Sequence, residues 1–119
     1  MKKLLIIIIL LLSTNCFAVT GNDLHVWLKS NNDYEKGSAH YFIIGVVQSM
    51  ESFRETEISI AKSEKRKPKL NYYACLPKGI TIGQLFDMVQ KYLDDNSEKR
   101  HEQGQLLVHN AFKVWNCAA

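Results

Sequence analysis

The chain has 119 residues, 46% hydrophobic and 23% charged, with 15 Lys and Arg against 12 Asp and Glu. That length suits one small domain. A formal charge of +3, two units of it from Lys2 and Lys3, lacks the basic excess of a nucleic-acid binder.

Lys2 and Lys3 precede the apolar run Leu4–Leu12, and Cys16-Phe17-Ala18 follows as a small-x-small cleavage site. This is the pattern of an export signal spanning residues 1–18. The run is well short of the roughly 20 apolar residues that span a bilayer. Asn15 stands before Cys16, where a lipidation signal has a small residue, so no membrane anchor is expected after cleavage. Without Lys2 and Lys3, Val19–Ala119 carries 13 basic groups against 12 acidic ones and is expected in the periplasm.

In the mature segment, Gly21-Asn22-Asp23 opens a helix carrying Leu24, Trp27 and Leu28, with Asn22 or Asp23 expected as its cap. Asn31-Asn32-Asp33 and Gly37-Ser38 read as punctuation. A longer helix is expected from about Ala39, with Ile43, Val46, Val47, Met50 and Phe53 at helical spacing. Gly45 on it suggests a close helix–helix approach. The helix is expected to continue towards Lys65, although Thr56, Ile58 and Ile60 alternate as in a strand. Lys62–Lys69 contains five basic residues, Glu64 and Pro68, which reads as a solvated loop.

Beyond Cys75 the pattern sharpens. Thr81 and Gln84 make a capping box that starts a helix after Gly79, with Leu85, Met88, Val89, Tyr92 and Leu93 as its apolar stripe. Asp94–Ser97 is a short polar connector, which implies antiparallel neighbours. Asp95 or Asn96 is the expected cap of a last helix, Ser97–Val114, with Glu98 in its first turn. Leu107, Val108, Ala111, Val114 and Trp115 would face the first stripe, with Gly104 allowing close approach. The expected fold is all-α, one domain (residues 19–119) of four to five helices.

A hairpin of two such helices brings Cys75 and Cys117 to its open end. They are the two cysteines left after signal cleavage, and an even pair in an exported domain reads as a disulfide. That pairing argues against a Cys/His hydrolase, which needs a free thiolate beside a base. His101 and His109, eight apart on the expected last helix, lack a third ligand at short spacing for zinc. Arg100 and His101 are expected to anchor the hairpin turn. No enzyme, cofactor or metal is indicated.

The run C-x-P-x-G-I-T-x-G-Q-L from Cys75 to Leu85, Tyr92-Leu93, Glu98-x-Arg100-His101, Leu107-Val108 with Ala111, and Cys117 resembles the Tai/Rap immunity family. Gly21-Asn22-Asp23-Leu24 and Ile43-Ile44-Gly45-Val46 extend the resemblance through the N-terminal half. Related sequences carry a second cysteine pair where Leu28 and Ala39 stand here, and Pro where Ser97 stands. The resemblance implies a helical periplasmic protein, often a homodimer, that blocks the cleft of a cognate type VI secretion peptidoglycan amidase.

Two segments suit such a block. One is the hairpin tip, Asp94, Asp95, Asn96 and Glu98, slightly favoured because two capped helices hold it. The other is the basic loop Lys65–Lys69, with Lys65, Arg66 and Lys67, together with Tyr72 and Tyr73. The competing reading is an acid-stress chaperone of the HdeA type, also small, helical and bridged by one disulfide.

Overall fold

The structure, a computed structural model, describes Ala18–Cys117. The expected export signal lies outside the described residues except for Ala18. The described chain is all-α: α1 (Gly21–Lys29), α2 (Asp33–Ser63), α3 (Ile82–Asp95) and α4 (Gly104–Ala111), with 3-10 turns at Ser97–Lys99 and Lys113–Trp115.

Thr20, rather than Asn22 or Asp23, caps α1. Its hydroxyl accepts from the Asp23 N–H, while the Asp23 carboxylate accepts from the Thr20 N–H at 2.8 Å. Asp23 is thus the third residue of a capping box. The second helix also starts earlier than expected, at Asp33, with the Asn32 carboxamide accepting from the Tyr34 and Glu35 N–H groups. Gly37 and Ser38 lie inside it. A glycine there costs about 1 kcal/mol of helix propensity, and burial of Ala39 and Ile43 on the next turn outweighs it. The strand-like Thr56, Ile58 and Ile60 are helical, and Thr56 bonds back to the Ser52 carbonyl.

The core joins Leu24 and Leu28 of α1, Ala39, Ile43 and Val47 of α2, Leu85, Val89 and Leu93 of α3, and Leu107, Val108 and Phe112 at α4. Leu28 and Ala39, at the places of the absent cysteine pair, are both buried in it. Val46 and Met50 pack partly against it, whereas Phe53 points to solvent. Val114 does not join the facing stripe; it is 73% exposed, and the preceding Phe112 is buried instead.

The hairpin is present, but its second arm is broken. Ser97–Val114 is not one helix, and neither Asp95 nor Asn96 caps α4, which follows Gln103. The physical cause is α1. The Asn22 N–H donates to the Arg100 carbonyl at 2.7 Å and the Gly21 N–H to the Glu102 carbonyl at 3.0 Å. The Gly104 N–H, which a continuous helix would direct at Arg100, donates to the Val19 carbonyl at 2.7 Å. Tertiary partners therefore replace the helical ones across this turn. Gly104 is the close approach that was expected, though towards a different neighbour. A Cβ there would sit 2.9 Å from the Val19 carbonyl oxygen and 3.0 Å from Leu24 Cδ1. Gly45 makes no such approach; a Cβ on it meets nothing within 4 Å.

Candidate functional site: a braced basic loop and an engaged hairpin tip

The open end of the hairpin carries the expected Cys75–Cys117 disulfide, with Cα atoms 4.9 Å apart. Two backbone bonds flank it: the Cys75 N–H donates to the Trp115 carbonyl at 2.7 Å, and the Cys117 N–H to the Tyr73 carbonyl at 3.0 Å. The bridge removes both thiols from nucleophilic chemistry. His101 and His109 do not share a helix, since His101 lies in the turn before α4. Among the described residues no group of three or more His, Cys, Asp or Glu could hold a metal ion. Nor is any described helix long and apolar enough to cross a membrane.

At the open end, α3 starts at the expected capping box, with Thr81 and Gln84 satisfying each other's N–H groups. The far end of α3 is tied down. Asp94 accepts from Lys29 Nζ at 2.6 Å and lies 2.8 Å from His25 Nε2, with Arg100 Nη2 at 3.9 Å. Hydrogen bonds from Lys29 and His25 hold its carboxyl below the usual carboxylate range. Asp95 pairs with Lys91 at 2.7 Å, and the Asn96 amide donates to the Tyr92 carbonyl. Arg100 Nε caps the Leu93 carbonyl at 2.7 Å, the anchoring role expected of it. Glu98 alone of the four tip candidates has no side-chain bond in this network and is exposed. The tip is a junction between α1 and α3, held by charges.

The basic loop is built differently. At the end of α2, the Arg66 N–H donates to the Ala61 carbonyl at 3.0 Å and the Lys65 N–H to the Lys62 carbonyl at 3.3 Å. These are the two bonds of a Schellman motif, and Lys65 occupies its left-handed position with φ of 52°. A lysine there accepts backbone strain that a glycine would avoid.

Glu57 braces the loop from α2. Its carboxylate takes Arg66 Nη1 at 2.7 Å and Nη2 at 3.2 Å, and the Lys69 N–H at 2.7 Å. The Arg66 and Lys69 bonds hold the Glu57 carboxyl down at about 2. This brace is therefore complete above the ordinary glutamate range and is lost only as pH falls through that value. Sequence reasoning missed Glu57. Its only signal is a carboxylate two helical turns upstream of a basic run. Arg66 is thus committed to the loop's own structure, leaving the exposed Lys65 and Lys67 ammonium groups.

Tyr72 and Tyr73 follow at the mouth of a cleft of about 380 Å³, shared with Asn71, His109 and Lys113. Tyr72 is 69% exposed, whereas Tyr73 is half-buried. Arg54 of α2 reaches Cys75 Sγ at 3.9 Å, so helix, disulfide and tyrosine segment are in contact.

No curated protein and no solved structure matches the chain significantly. A family model described as Rap1a immunity proteins matches residues 20–117, which is the described domain almost end to end. On that match the chain belongs to the Rap1a immunity protein family.

Proposed function

We propose that this protein acts in the periplasm, after removal of residues 1–18, as the immunity partner of a type VI secretion peptidoglycan amidase. It occludes the amidase's active-site cleft and needs no chemistry of its own. The observation that carries this reading is the family match across residues 20–117. It also favours the immunity role over an acid chaperone, whose defining trait is promiscuous client binding. The basic signal-like start and the disulfide support export, because bridges persist in oxidising compartments.

The block is assigned to the basic loop and Tyr72 rather than to the hairpin tip. A plug has to offer groups that are exposed and held on a stiff base. Asp94 already satisfies Lys29 and His25, so engaging an effector would cost α1 its contacts. Lys65, Lys67 and Tyr72 are exposed, while Glu57 and Arg66 fix the backbone beneath the two lysines. Preorganisation of this kind lowers the entropic cost of binding.

The test is inhibition of the proposed cognate amidase, assayed on purified peptidoglycan. Changing Lys65, Lys67 and Tyr72 together to Ala should weaken inhibition about 30-fold or more, the scale of a binding hot spot. Asp95→Ala with Glu98→Ala should leave it within about threefold, as for near-neutral positions. The reverse pattern would place the plug at the tip.

A further inference from the structure

The cleft of about 380 Å³ lies between the Asn71–Ala74 segment and a face of α4 and the turn after it, where His109, Asn110 and Lys113 line it. Its two walls are pinned together. Asn116 Nδ2 donates to the Asn71 carbonyl at 2.9 Å, Ala74 and Asn116 form an antiparallel bridge, and the disulfide closes the same end. The cleft is thus preorganised. Asp and Glu are absent from the described residues that line it, and Lys113 is the single Lys or Arg among them. The exposed Lys113 ammonium is in no ion pair among the described residues. Burial and the nearby Lys113 lower the His109 pKa, so His109 is neutral at pH 7 and adds no charge. Asn110 Oδ1 is buried, and no described group donates to it. A buried acceptor without a donor carries its desolvation cost in full, and an interface that brings a donor recovers that cost.

We propose that this cleft receives an acidic residue of the amidase, whose carboxylate pairs with Lys113 while a backbone N–H of the same segment donates to Asn110 Oδ1. The inference rests on the immunity reading and adds what the partner must carry. Tyr72 stands at the cleft mouth and is exposed, so a partner seated on the assigned plug covers the cleft as well. Covering it takes water from Lys113, and an ammonium left unpaired there is costly. A basic insert would repel Lys113. An apolar one would leave both the ammonium and Asn110 without partners beneath the interface. A segment that joins an N–H donor to a carboxylate satisfies the two groups at once. Lys65 and Lys67 on the braced loop present the same sign, so one acidic rim on the amidase serves loop and cleft together.

Calorimetric binding of the purified, proposed cognate amidase to the exported protein tests this, alongside thermal unfolding of the protein alone. Lys113→Gln should weaken binding about tenfold or more, Lys113→Arg should restore most of it, and the loss should shrink as salt is raised. Asn110→Leu keeps the branching of the side chain without the acceptor. It should weaken binding about fivefold or more while raising Tm by a few degrees. A residue serving only the fold moves both readouts downwards; an acceptor held for a partner moves them apart. Normal binding by either Lys113→Gln or Asn110→Leu would overturn the cleft assignment and leave the immunity reading standing. So would an Asn110→Leu variant that loses Tm and binding together. Normal amidase binding by both variants, with saturable binding of acetyl-D-alanyl-D-alanine to the wild type, would assign the cleft to cell-wall peptide ends instead. A wild type that does not bind the amidase at all would remove the immunity reading, and the cleft assignment with it.

Discussion

Replacing Leu107 with Ala should destabilise the protein by about 2–5 kcal/mol, the range for emptying a well-packed leucine site. Leu107 is fully buried at the meeting point of α4 and α1. Its Cδ1 lies only 2.3 Å from where a Cβ on Gly21 would stand, so the first turn of α1 is packed directly onto it. Gly21 is in turn held by the Glu102 carbonyl, and Asn22 by the Arg100 carbonyl. These backbone bonds keep the neighbouring segments from collapsing into the space left by the lost methyl groups. The expected cost therefore lies towards the upper part of the range. Urea denaturation followed by circular dichroism measures it. A loss below about 0.5 kcal/mol, the size of an ordinary surface change, would mean that this contact does not hold α1 to the hairpin.

Removing the disulfide should be comparably costly. Cys75 and Cys117 are 42 residues apart, and closing a loop of that length constrains the denatured chain by about 4 kcal/mol in the chain-entropy model. The native cost of the double change is small, because flanking backbone bonds from Cys75 to Trp115 and from Cys117 to Tyr73 remain available. Cys75→Ser with Cys117→Ser should therefore lower Tm by roughly 15–30 °C for a domain of this size, while the helical spectrum at low temperature stays unchanged. The unreduced wild type should contain no alkylatable thiol in the mature chain by mass spectrometry. Two free thiols in protein taken from the periplasm would contradict the bridge.

The features legible in the sequence are those fixed by local chemistry. The T-x-x-Q box at Thr81 set the start of α3 correctly, since both of its bonds are made within four residues. The cysteine pair was legible because the hairpin it closes is local. The break at residues 100–103 was not, because the groups that interrupt the helix come from Val19, Gly21 and Asn22 at the other end of the chain. Long-range partners also account for the tip. Asp94 reads as a free acid in sequence, yet its partners Lys29 and His25 lie 65 and 69 residues away. Gly37-Ser38 read as a boundary because propensity is local, whereas the burial of Ala39 and Ile43 that overrides it is tertiary. The basic loop was legible by composition. Its brace was not, since Glu57 belongs to α2 and meets Arg66 only through the Schellman turn.

Directing the proposed cognate amidase to the periplasm, with and without this protein co-expressed alongside it, tests the immunity role most directly. Cells receiving the amidase alone should lyse, and cells that also export this protein should continue to grow. Equal lysis in the two cultures, with both proteins present in the periplasm, would contradict it.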